Sequence, residues 1–282
     1  MDELVAKRIL FDFEIITLIT LVLGVIVYGL FGSFRKPPGR GIGSKFIEAD
    51  LFLIWFPLVF FLINPILSYL VPDSVPTTTA PVSDSKQIVA GINQLIGFAF
   101  VGVITVILIQ LVTVRDAAEL LGLRMQRPIV ILAYGLVGFV VCLLVSNLII
   151  GSLSSEYLTS RLGELDAQRP VEEMKQARSF FVVLLSIINA CIMAPIVEET
   201  LFRGYFYPVL KRFTSPLFSA LVTSAIFAVV HSNLPAHLPL WAFAIIVTLA
   251  YEMSRCLWVP ILIHSLFNGA NVLMLFLSKG EG

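Results

Sequence analysis

Eight runs of mostly apolar residues organise this chain of 282 residues, at about 9–31, 48–71, 88–113, 128–152, 180–205, 215–235, 238–254 and 258–277. A helix needs roughly 20 such residues to cross a bilayer, so the pattern predicts an all-α polytopic bundle of about eight spans. Composition agrees: 13% of residues are charged, against about 25% in an ordinary soluble domain. The net charge is zero, so no basic face points to nucleic acid, and the lipid bilayer is the expected partner. The first run is too long for a signal-peptide core and is followed by no small-residue cleavage site, which makes it a retained span. No repeat or second domain is visible. A single membrane domain over 1–282 is expected, with the spans within 1–113 accessory to the C-terminal half. The connections carry breakers and charges, as in RKPPGRGIGSK (35–45) and RDAAELLGLRMQR (115–127). Two helical pieces in the polar stretch 154–178 are expected to lie along the membrane interface. Compact spans and short loops suit a bacterial plasma membrane.

Against this background the ionisable residues inside apolar runs stand out, because charge at membrane depth is costly and faces a bundle interior or a wet cavity. Glu198 and Glu199 follow IINACIMAPIV and precede LFRGYFYPVL. Glu199 and Arg203 are four apart, the favourable order for an ion pair on one helix face, which leaves Glu198 on an adjacent face as a candidate general base. Pro195 removes one helical hydrogen bond just ahead of them and is expected to kink the helix. Glu198 lies about 16 residues before the turn near 214–215, and His231 about 16 after it. At 1.5 Å per residue both are ~24 Å from that turn, so antiparallel neighbours place carboxylate and imidazole at a similar level. In the last run His264 and Asn268 are four apart on one face, and both can donate hydrogen bonds to a developing oxyanion. Asn271 either extends this polar stripe or contacts a neighbouring helix.

Three segments in this order, EETLFRG (198–204), FAVVHSN (227–233) and HSLFN (264–268), resemble the EExxxR, FxxxH and HxxxN motifs of the CPBP family. That family includes type II CaaX prenyl endopeptidases, bacteriocin-processing and abortive-infection proteins. The resemblance covers about 180–275, with looser support from ELLGLRMQRP (119–128). It implies hydrolysis of a peptide bond in a cavity within the membrane, in a prenylated or otherwise membrane-associated substrate. By motif position Glu198 would activate water with His231 assisting, His264 and Asn268 would form the oxyanion hole, and Glu199 and Arg203 would orient the site. No cofactor or metal is expected.

Each residue also has an ordinary structural use. A Glu–Arg pair can be interhelical glue, and a lone histidine or asparagine is more often a packing contact. It is their joint occurrence that favours a catalytic site. Two other functions compete. One is a zinc protease with Glu198, His231 and His264 as ligands, although no HExxH-like pair sets two ligands on one helix. The other is a non-enzymatic immunity, scaffold or transport protein, although no inverted repeat is seen. Elsewhere, Asp50 is expected at the interface, Glu252 and Arg255 are expected to pair, and His237 is expected in a solvated turn. Cys142, Cys191 and Cys256 read as small apolar residues.

Overall fold

The structure is a computed structural model. It describes residue 50 and residues 83–279, apart from 114–115, 124–126, 163–170, 172–173, 176, 178 and 232. The spans expected at 9–31 and 48–71, Asp50 aside, and the loop at 35–45 lie outside the described residues.

Among the described residues the regular structure is helical, without strands. Helix α1 runs Asp84–Thr113 and the single turn α2 runs Ala117–Leu120. Helix α3 joins three consecutive pieces, Pro128–Val141, Cys142–Gly151 and Ser152–Leu162. Helix α4 spans Phe180–Phe213, α5 Pro216–Val229, α6 Leu234–Ser254 and α7 Trp258–Lys279. Helices α1, α3, α4, α6 and α7 are long and apolar enough to cross a membrane, whereas α5 is a shorter apolar helix.

Two expectations about boundaries change. Residues 154–162 are not a separate helical piece but continue α3, because nothing after Gly151 breaks the helical run. His231 does not lie inside a helix. Asn233 caps α6, its side chain accepting from Ala236 N at 3.1 Å. With Pro235 beside it, this start signal ends α5 early, so His231 lies just past its end.

Helix α4 shows how the sequence shapes the site. Its backbone widens to π-type turns at Asn189–Met193 and Thr200–Phe206. Each widened turn precedes a proline, Pro195 or Pro208. A proline has no N–H and its ring crowds the carbonyl four residues back; these carbonyls belong to Cys191 and Gly204, inside the two widened turns. The expected disturbance at Pro195 is therefore a change of hydrogen-bond register. Ala194 N donates to Asn189 O, five residues back. The carbonyl of Ala190 thus loses the donor that an α-helix would supply, and the next residue, Pro195, has none to offer.

The core forms around the second half of α4, where Leu201, Phe202, Arg203, Tyr205, Phe206, Tyr207, Val209 and Leu210 are all buried. A helix apolar all round belongs in an interior. At its other end Phe180 and Phe181 are exposed, as lipid-facing residues are. Helix α6 packs between α5 and α3, and α7 packs on α3 and α4. Glycines let α3 approach α7 closely: a Cβ on Gly138 would stand 2.4 Å from Ile263 Cδ1.

The ELLGLR segment clamps the α6–α7 connection. Gly122 adopts φ +73°, a left-handed conformation that suits glycine. Its carbonyl accepts from Leu257 N at 2.9 Å, and Leu123 O accepts from Trp258 Nε1 at 2.9 Å. Three polar residues differ from expectation here. Asp50 is buried, not interfacial, and accepts from Tyr205 Oη at 3.2 Å. Glu252 pairs with Lys211, rather than with Arg255, and accepts from Tyr207 Oη at 2.9 Å. Arg255 instead ends α6 in a left-handed conformation, φ 52°, the usual helix stop with an arginine where glycine is commoner.

Candidate active site

Glu198 and Glu199 are neighbours in sequence and both are buried, but their surroundings differ. Around Glu199 the structure closes a three-helix knot. Arg203 Nη1 lies 2.9 Å from each carboxylate oxygen, and His264 Nδ1 of α7 donates to Oε1 at 2.7 Å. Arg203 Nη2 donates to Ala244 O of α6 at 3.0 Å. All three side chains are buried, so the Glu199 charge meets the Arg203 guanidinium and His264 Nδ1 where water is scarce, although its Oε2 takes part in the ion pair without a hydrogen bond of its own among the described residues.

Glu198 has no such partner. Its Oε2 is buried and lacks a hydrogen bond among the described residues; it lies 3.9 Å from His231 Nε2. The histidine's orientation is set by its own helix, because Nδ1 donates to Phe227 O at 2.7 Å. With the proton on Nδ1, a neutral ring presents the lone pair of Nε2 toward the glutamate. The side chains of Glu198 and His231 are 10% and 23% exposed, against 5% for His264, so the site opens on the Glu198–His231 side.

Asn268 Nδ2 donates to Ala190 O at 2.7 Å, the carbonyl freed by the register change before Pro195. His264 and Asn268 thus each commit one donor to α4, leaving His264 Nε2 and the second N–H of the Asn268 amide. Asn271 contacts a neighbouring helix: its Oδ1 accepts from Asn147 Nδ2 of α3 at 2.7 Å.

Aromatic rings pack the site together. The Phe227 ring lies 4.8 Å from the Arg203 guanidinium, 4.7 Å from the His231 ring and 5.9 Å from the His264 ring. Phe243 lies 5.1 Å from His264. The arginine over Phe227 is a cation–π contact in a desolvated place.

The six candidate residues therefore fall into two linked groups, Glu199–Arg203–His264 and Glu198–His231, with Asn268 on the α4 backbone. Sequence reasoning quoted Phe227 within a motif but gave it no task, and it missed Phe243, Asn147 and the carbonyls of Ala190 and Ala244. Pro195 was the signal for Ala190; the local sequence holds none for Ala244. His237 also departs from expectation: it sits in the first turn of α6, half-buried, Nδ1 donating to Asn233 O at 2.8 Å and Nε2 buried without a partner among the described residues. Cys142 and Cys256 are buried as expected, and Cys191 is half-buried. Among the described residues no three His, Cys, Asp or Glu side chains gather as a group able to hold a metal ion.

Residues 180–270 match the family model described as Type II CAAX prenyl endopeptidase Rce1-like. The chain is also 30% identical over 177 residues to the protein named "Putative membrane peptidase YdiL" of Bacillus subtilis (strain 168), covering 62% of this chain and 69% of that protein. The chain belongs to the CPBP family. A further relative of this CPBP protein is an "Uncharacterized 24.3 kDa protein" of Escherichia coli, 31% identical over 113 residues, 38% of this chain and 52% of that protein. No solved structure matches. With five membrane-capable helices among its described residues, the CPBP protein is an integral membrane protein of a protease family.

Proposed function

We propose that this CPBP protein is an intramembrane endopeptidase that cuts a peptide bond in a membrane-associated protein or peptide, using water activated by Glu198. One observation carries the reading: a buried carboxylate oxygen without a hydrogen bond faces an imidazole nitrogen 3.9 Å away. A water about 2.8 Å from each would fit across that gap. Glu198 takes a proton from this water as its oxygen attacks the substrate carbonyl, and His231 Nε2 helps to orient the water and to pass that proton on. The negative charge forming on the carbonyl oxygen is met by the free Asn268 N–H and by His264 Nε2. Because His264 Nδ1–H is committed to Glu199, donation from Nε2 requires a doubly protonated ring, whose charge Glu199 faces. The proton held by Glu198 then passes to the departing amine as the C–N bond breaks, so the cleavage is balanced without a co-reactant other than water.

The substrate class rests on the family model's description, a CaaX-type prenyl endopeptidase. We propose a lipid-modified C-terminal peptide and, on the Bacillus subtilis relative and the short loops, a bacterial plasma membrane. The zinc reading has less support, since Glu198, His231 and His264 do not meet as a ligand group.

The test is cleavage of a farnesylated CaaX reporter peptide by protein purified in detergent, beside Glu198→Gln and with a zinc chelator in parallel. The wild type should cleave, Glu198→Gln should not, and the chelator should have no effect. Undiminished cleavage by folded Glu198→Gln would sink the mechanism.

A further inference from the structure

One polar contact near the site is not used by the chemistry proposed above. Asn147 Nδ2 of α3 donates to Asn271 Oδ1 of α7 at 2.7 Å. This bond uses the acceptor of Asn271 and a donor of Asn147. It leaves the Asn271 amide N–H groups and the Asn147 carbonyl oxygen unspent among the described residues. Both side chains are half-buried, and neither leaves an atom sealed in the interior without a partner. The unspent donor and acceptor therefore border accessible space.

Their position relates them to the reacting groups. His264, Asn268 and Asn271 all belong to α7, and at 3.6 residues per turn they fall within about a sixth of its circumference. Residues one turn apart have Cβ atoms about 5–6 Å apart. In an extended peptide, carbonyls on the same side recur every two residues, roughly 6.6 Å. A peptide whose scissile carbonyl meets Asn268 would thus bring another carbonyl level with Asn271. On α3, Asn147 lies in the widened turn Cys142–Gly151. The adjacent Ser146 hydroxyl bonds Pro239 O of α6, so this turn is fastened to α6 and α7 together and holds Asn147 in place.

We infer that Asn271, braced by Asn147, is a substrate-positioning residue whose amide N–H binds the backbone carbonyl two residues from the bond that is cut. The inference rests on the peptidase reading and deepens it, because it assigns recognition of an extended main chain to the α3–α7 seam.

Binding to non-cleaving protein separates this inference from the proposed chemistry. The dissociation constant of the farnesylated CaaX peptide is measured with Glu198→Gln, alone and combined with Asn271→Leu or Asn147→Leu, while thermal unfolding is followed. Asn271→Leu should weaken binding about tenfold, the scale of one net hydrogen bond, and Asn147→Leu should weaken it less. Peptides carrying a reduced amide (CH2 in place of C=O) two residues to either side of the cleaved bond supply the decisive comparison. One of them should lose the same factor against the Glu198→Gln parent and nothing further against the Asn271→Leu protein. Should Asn271→Leu fail to fold, Asn271→Ser, whose donor is shorter, should show the same loss. An unchanged dissociation constant with lowered thermal stability would mean that the pair only joins helices, and would overturn the inference. So would equal reduced-amide losses with and without Asn271, or no binding by the parent. A parent that binds while the wild type never cleaves counts against the chemistry alone and leaves this test in force.

Discussion

At Glu199 two side chains, one from its own helix and one from α7, share one buried carboxylate, and that arrangement sets what substitution does. Removing one member of a buried ion pair leaves an uncompensated charge and costs about 3–5 kcal/mol, whereas replacing both with apolar or neutral groups of similar size is often close to neutral. Arg203→Ala should therefore lower stability by about that amount in detergent unfolding. Glu199→Gln combined with Arg203→Met should recover most of it without restoring cleavage. If the single and double variants were equally stable, the pair would not carry the stability assigned to it. The Glu–Arg half of this cluster was legible from four-residue spacing. Its third member was not: His264 lies 65 positions from Glu199, and no local pattern says which carboxylate a histidine on another helix will face.

Within α4, a proline does more than bend the chain. Because Ala194 N serves Asn189 O and Pro195 has no N–H, the Ala190 carbonyl is left for Asn268. Pro195→Ala supplies a new N–H that can compete for this region of the helix. Turnover should fall roughly five- to tenfold, the scale of one net hydrogen bond, with little loss of stability. Combined with Asn268→Ala, which by itself should cost about 10²–10³ in turnover if it is an oxyanion donor, the proline change should add nothing. Additive losses in turnover would show that Pro195 acts by another route. The widened turns of α3 and α4 coincide with Asn147, with Ala190 and with Arg203, in keeping with the frequency of such turns at functional sites.

For the whole molecule, the shortness of α5 matters most. Its 14 residues span about 21 Å, less than a hydrocarbon core of about 30 Å. We expect the break between α5 and α6 to be where water reaches His231. In a protein lacking Cys142, Cys191 and Cys256, Leu238→Cys, exposed near the start of α6, should react with a membrane-impermeant maleimide in native membranes. Val137→Cys, on the exposed apolar face of α3, should not. Equal labelling of the two would mean that the break is not the wet side of the site.

Hydropathy and helical period are local properties, which is why the sequence alone determined that the chain is helical and membrane-embedded, roughly where α1, α3, α4, α6 and α7 run, and that Glu199 and Arg203 share a face, but not that α5 would stop short of a span. The order of three motifs likewise pointed to the family. Tertiary structure decided the rest. It buried Asp50 against Tyr205, gave Glu252 to Lys211 and Tyr207, and turned His264 to Glu199 and Asn268 to a backbone carbonyl. Each of these contacts depends on how closely two helices approach and on the register of their backbones. A carboxylate finds its donor through those distances, which no one-dimensional pattern contains.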